Sequence, residues 1–353
     1  MIFILLFSQS HLMFAAESDK THPPLASAEL EQNKIQAQLE KVVLGKLEFY
    51  ARHFPEINFI ILDSAADTNR NMQVLIKILG QDPDPLDYEH PEKLRDDLLS
   101  VTLERIKYLL QMDAGSSTLF KPGKHALAKR KALCVITMNP WIIAKDDRAA
   151  THHLLDIPDS EFNTILPKNY LNHISHLKFV FDHEAYHCLD SYYNGPIPRS
   201  QNKLWSGYNI LKNELGADAF GSIMNISDHG RVTRYIYTLH NIRALTLLAG
   251  DYDHYTYEVV KALLQSDIPG LVKCDIKDRF RISTTIRNRL NGSYDDYVLY
   301  RREADAARRI IAGEKEINNF SIKDGEYKKV KILLGDTRRA YKELFGHNIT
   351  SAK

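Results

Sequence analysis

Cysteine is scarce in this 353-residue chain: Cys134, Cys188 and Cys274 allow one bridge at most and leave an odd thiol, so no disulfide framework holds the fold. Excess charge is missing too, since 46 lysines and arginines face 45 aspartates and glutamates for a formal net charge of +1. That balance creates no overall field to draw nucleic acid or an anionic membrane. The one basic cluster, Lys121, Lys124, Lys129, Arg130 and Lys131, is short and lacks interleaved aromatics. It reads as a solvated face, and nucleic acid is not an expected partner. Long apolar runs are absent as well. Ile2 to Phe7 and Leu12 to Ala16 are apolar, but Ser8 to His11 interrupts them and no lysine or arginine precedes them. The segment is too short and broken for a stable membrane span. It reads instead as an imperfect secretory signal over residues 1–16, cleaved near Ser10 or Ala16, with export to a periplasm or the medium as the expected location. There is no internal repeat, no low-complexity linker and no signal that specifies an oligomer.

What is present is ordinary globular material, 44% hydrophobic and 26% charged, long enough for one large core or two lobes. Within it stands His183, Glu184, Ala185, Tyr186, His187, an HExxH pattern. On a helix the two histidines lie one turn apart on one face and can grip one metal ion. Catalytic zinc takes three protein ligands and leaves a fourth position open, and two histidines with one glutamate is an established set. Glu214 is the natural third ligand. Glu184, beside the first histidine, is placed to act as general base. The surroundings support two helices. Leu171, Ile174, Leu177 and Phe181 form an apolar stripe, with Pro167 as opener and Asn194, Gly195 and Pro196 as terminators. Leu204, Tyr208, Leu211, Leu215 and Ala219 form a second stripe that sets Glu214 and Asp218 one turn apart.

HExxH followed, after 26 intervening residues, by Glu214, Leu215, Gly216, Ala217, Asp218 resembles the gluzincin clan of zinc metallopeptidases. The resemblance covers residues 170–222 only. It implies Zn2+ held by His183, His187 and Glu214, with Glu184 as base and Asp218 orienting a ligand histidine. It also implies a zincin-like, two-lobed fold with a small sheet whose edge strand pairs with an extended substrate. A carboxylate that accepts from the far nitrogen of a ligand histidine fixes its tautomer, which agrees with the role implied for Asp218.

The rest of the chain predicts an α+β, predominantly helical fold. Residues 28–53 read as a helix, Ile57 to Leu62 as a strand, and residues 68–80 and 92–112 as helices around the Asp82 to Pro85 turn cluster. Ala132 to Met138 reads as a second strand and, being the last β-rich run before the motif, as either the substrate-pairing edge or a plain core strand. After Ser222 the pattern is helical nearly to the end, with runs at Ile236 to Leu248, Tyr257 to Leu264, Tyr297 to Ile311 and Tyr327 to Leu344. The expected organisation is an N-terminal α+β lobe over 17–190, closed by the motif helix, and a helical lobe over 191–353 that carries Glu214.

Amide hydrolysis also needs a donor for the oxyanion. His254 and Tyr255, in the polar and aromatic segment Gly250 to Tyr255, are the candidates; Tyr235, Tyr237 and His240 are alternatives at helical spacing that read first as packed or hydrogen-bonded core. Arg231 and Arg234 are placed to hold a substrate carboxylate or to pair with surface acids. Asp190, one turn past His187, is a rival ligand; Cys188 reads as a small core residue, and His152 and His153 as surface. The sequence therefore points to a zinc-dependent peptidase acting on a peptide or protein. The alternatives are an inactive zincin-like binding protein and a zinc amidohydrolase for non-protein amides. No anchor for a free amino terminus stands near Glu214, which favours internal cleavage.

Overall fold

The computed structural model describes residues 25–63, 115–120, 131–155, 167–196, 202–252, 254–290, 292–311 and 324–346. The apolar N-terminal run, the helices expected over 68–80 and 92–112, and most of the basic cluster lie outside them. The described chain is predominantly helical with one small sheet, an α+β composition. It divides into two compact units, Met1–Lys145 with His187–Gly195 and Asp146–Tyr186 with Pro196–Lys353. Most of the motif helix belongs with the second of these units.

In the first unit, helix α1 (Leu25–His53) buries Leu39, Val43, Leu47 and Tyr50, whose three- and four-residue spacing makes one apolar stripe. Tyr50 lies 5.2 Å from Phe59 of strand β1 (Ile57–Asp63), which seats the helix on the sheet. Strands β2 (Ser116–Phe120) and β3 (Ala132–Met138) complete the order β1-β3-β2. β3 runs parallel to β1, pairing Ile57 with Ala132, and antiparallel to β2, pairing Ser116 with Thr137.

β3 is thus the central strand, and all seven of its residues are buried. This corrects the expectation that Ala132 to Met138 is the substrate-pairing edge: both of its backbone edges are already hydrogen-bonded. Continuous apolar character is what a strand covered on both faces requires, and an edge strand has no such need. β2 escaped notice because Ser116, Ser117, Thr118, Leu119 and Phe120 carry neither a long apolar run nor strict alternation. After β3, Asn139 accepts from the amides of Trp141 and Ile142 and, with Pro140, opens the short helix α2 (Pro140–Ala144). A disulfide joins Cys134 of β3 to Cys188, with the Cα atoms 5.8 Å apart, and Cys274 is a free thiol.

The second unit begins with α3 (Asp147–Leu155). Helix α4 (His173–Tyr193) carries the motif and runs unbroken through the division between the units. It starts six residues after Pro167, because the caps lie further on: Asn172 accepts from the Ser175 amide, and Asp147 from the His173 amide. It ends at Tyr193, two residues before Gly195, whose φ of +91° suits glycine. Helix α5 (Lys203–His229) opens on Asn202, which accepts from Leu204 and Trp205, and closes on Gly230 in the left-handed conformation. Helices α6 (Arg234–Ala249), α7 (Tyr257–Leu264), α8 (Ile268–Lys273), α9 (Ile276–Leu290), α10 (Tyr294–Ile311) and α11 (Asp324–Phe345) follow. Leu211, Leu215, Ala219 and Ile223 of α5 form a core with Val259 and Leu263 of α7, Leu271 of α8 and Tyr297 of α10.

Two glycines on α5 set how near α4 can come. A Cβ on Gly216 would overlap the ring and hydroxyl of Tyr186, and one on Gly221 would lie 2.8 Å from the Phe179 ring. Close approach at these points brings the carboxylates of α5 within reach of α4. Gly216→Ala is expected to destabilise the fold by about 1–3 kcal/mol through overpacking and to weaken divalent-metal affinity, checked by urea unfolding and metal titration. Replacing Cys134 and Cys188 together with serine opens a loop of sequence separation 54. The loss expected from unfolded-chain entropy is about 4 kcal/mol, read from non-reducing denaturant unfolding.

Candidate metal centre

His183 and His187 lie one turn apart on α4, and Glu214 projects from α5. One ligand atom from each lies within 4.8 Å of the other two. His183 Nε2 is 3.0 Å from Glu214 Oε2. In a tetrahedral site with bonds near 2.0–2.1 Å, neighbouring ligand atoms stand ~3.4 Å apart. The donor set and its spacing therefore fit a cation after small adjustments. His183 and Glu214 are buried and His187 is half-buried. Glu184 is buried beside His183 on the same helix.

Asp218 organises the group. It is fully buried, and His183 Nδ1 donates to its Oδ1 at 2.9 Å, which leaves Nε2 facing Glu214. Arg243 of α6 donates through Nη2 to the same Oδ1 at 2.9 Å and pairs through Nε with Oδ2 at 2.7 Å. The Thr256 hydroxyl donates to Oδ2 as well. Burial would push the Asp218 carboxyl up, but the Arg243 guanidinium and the His183 contact hold it well below the ordinary carboxylate range. It is an anion with every contact directed.

For His183, burial lowers the pKa while Glu214 and Asp218 raise it, and the carboxylates win: it is pushed up to about 10. In the metal-free chain a proton therefore occupies the place where a cation would sit between His183 and Glu214.

His254 also reaches the group. Its Nε2 is 3.9 Å from Glu214 Oε2, and its Nδ1 donates to Asp251 at 2.8–2.9 Å. Burial lowers its pKa, but Asp251 and Glu214 together raise it above the ordinary value. Tyr255, its companion candidate, is placed differently: its ring packs 4.8 Å from Tyr257 and 5.6 Å from Tyr300 in an aromatic cluster. Asp190 is not among the three grouped ligands and accepts from Asn194 Nδ2 at 2.7 Å near the end of α4. Arg234 is exposed and donates to Asn169, while Tyr237 is exposed and Tyr235 is buried. His153 is not a surface residue. It is half-buried on α3 and bonded to His176.

Arg243, Asp251 and Thr256 were not legible as site residues. Arg243 lies inside a run that reads simply as an apolar helix, and nothing in that pattern marks its partner. Asp251 stands three residues before His254, a spacing that allows the pairing, but that segment has no regular period to test it against. In comparisons with known proteins, no family model matches the chain, and no curated protein or solved structure does either.

The raised pKa of His183 sets a sign. Its proton stabilises the metal-free fold fully below pH 6.5, and that contribution is lost as the pH rises toward about 10. A metal ligand must be deprotonated. Binding of a divalent cation at pH 8 is therefore expected to expel about one proton from His183, where an ordinary histidine would release almost none. Calorimetry in buffers of different ionisation enthalpy measures this, and a buffer-independent heat would show a neutral His183.

Proposed function

We propose that this chain is a zinc-dependent peptidase of gluzincin type with a zincin-like, two-lobed fold. His183 through Nε2, His187 and Glu214 would hold the ion. The observation that carries the reading is that three ligands of a catalytic zinc set converge while Asp218 fixes the outer nitrogen of His183. A purely structural site has no need of the buried Glu184 beside its ligands.

Bound there, zinc supplies Lewis acidity and brings the pKa of water toward neutrality. Glu184 accepts a proton from the attacking water on its carboxylate and delivers it to the departing amine. His254, oriented by Asp251, donates from Nε2 to the oxygen on which charge develops as the peptide carbonyl becomes tetrahedral. Arg243 keeps Asp218 ionised, so that Asp218 holds the His183 proton at Nδ1 throughout. Tyr255 supports the segment through its ring packing and takes no part in the chemistry. The Cys134–Cys188 bridge favours an exported protein, because such bonds persist in oxidising compartments. No described helix is long and apolar enough to cross a membrane.

Glu184→Gln is expected to reduce hydrolysis of a peptide library by at least ~100-fold while zinc stays bound. His183→Ala and Glu214→Ala are expected to lose the metal. Cleavage mapped by mass spectrometry, with elemental analysis of each variant, checks both. Full turnover by zinc-loaded Glu184→Gln removes Glu184 as the base, and full zinc occupancy in Glu214→Ala removes Glu214 from the ligand set.

A further inference from the structure

A second group of polar side chains lies within the helical unit. His153 Nδ1 of α3 is 3.1 Å from His176 Nε2 of α4, and His176 Nδ1 is 3.0 Å from the Tyr235 hydroxyl of α6. His176 and Tyr235 are buried, whereas His153 is half-buried at the outer end. Three helices thus contribute to one chain of hydrogen bonds.

Counting protons gives the chain its direction. Among the described residues the Tyr235 hydroxyl has one hydrogen-bonding partner, His176 Nδ1, and donating its proton there leaves no buried O–H unpaired. His176 then carries its own proton on Nε2 and donates it to His153 Nδ1. His153 in turn must carry its proton on Nε2, which no described residue accepts. Charge agrees with this count. Burial first, and then Arg243, His152 and His183, lower the His153 pKa to about 4; burial, His153 and Arg243 hold His176 well below its ordinary value. Both rings are neutral at pH 7.

The chain also lies beside the metal-centre residues. His176 is seven residues before His183, two turns along the same face of α4. The Phe179 ring between them is 5.7 Å from Tyr235 and 6.0 Å from His183. The fields of His183 and Arg243 reach His153. A charged donor here would be repelled by those cations and by a bound metal; a neutral N–H is not, and it suits a neutral acceptor.

We propose that His153 is a substrate-holding residue, whose Nε2–H, oriented by His176 and Tyr235, donates to an uncharged backbone carbonyl of an extended peptide. The inference rests on the peptidase reading above and adds to it a residue outside both motifs. His176 and Tyr235 act through His153 and are positioning residues.

The test uses the zinc-loaded protein. Histidine-selective 15N NMR at pH 7 is expected to show His153 as a single neutral Nε2–H tautomer, and Tyr235→Phe to mix the two tautomers. His153→Ala is expected to raise KM for a cleaved peptide about fivefold, the worth of one neutral hydrogen bond, with little change in kcat. His153→Gln, which keeps a donor and an acceptor, is expected to restore KM, and Tyr235→Phe to give an intermediate value. Zinc content and the thermal midpoint of each variant separate loss of contact from loss of fold. A cationic or Nδ1–H His153, or an unchanged KM in folded His153→Ala, overturns the inference and leaves the peptidase reading standing. A wild-type chain that cleaves no peptide overturns both.

Discussion

The site depends on one buried carboxylate. Asp218 sits in the interior, where an isolated anion is untenable, and it persists because three side chains from different segments are aimed at it: His183, Arg243 and Thr256. Each of those contacts fixes its donor in return. His183 acquires a defined tautomer, α6 is tied to α5 through Arg243, and the segment that holds His254 is anchored two residues later at Thr256. The grouping of His183, His187 and Glu214 follows from this anchoring as much as from the two motifs.

Charge balance accounts for the choice of partner. Glu214 and Asp218 both approach the His183 ring, one at each nitrogen, which sets two carboxylates near one another. Arg243 compensates Asp218 by two contacts, so that its charge serves orientation and does not add to that of Glu214. The same guanidinium, with His183, bears on the state of His153 and His176. A single arginine thus acts on two hydrogen-bonded networks on α4, one with Asp218 and one with Tyr235.

The sequence made the centre of the site legible because its spacing is helical. Four residues from His183 to His187 and four from Glu214 to Asp218 each make one turn, and the apolar stripes around them identify the helices. Orientation across helices is not written in such a period. Arg243 and Tyr235 stand on α6 eight residues apart, each with a partner far away in the chain, and neither pairing follows from local pattern. The runs that became α6, α7, α10 and α11 were legible for the same reason, whereas α3, α8 and α9 matched no run that stood out in the sequence. The sheet was less so: β1 and β3 show as apolar runs, but their burial on both faces hides which of them lies at the edge. β2, short and rich in serine and threonine, gives no such run. The Cys134–Cys188 pairing also lay beyond reach, since three cysteines admit three pairings and only the fold brings these two together.

The parallel pairing of β1 with β3, with β2 placed between them in the chain, bears on how the molecule assembles. Such a ladder brings distant stretches of chain together before any backbone bond rewards the closure, and arrangements of that kind form slowly. The helical core also joins distant stretches, Leu211 of α5 with Tyr297 of α10 among them, so neither unit is built from local contacts alone. During synthesis β1 emerges first and stays without its parallel partner until β3 follows, and that interval is when its unpaired backbone is most open to wrong partners.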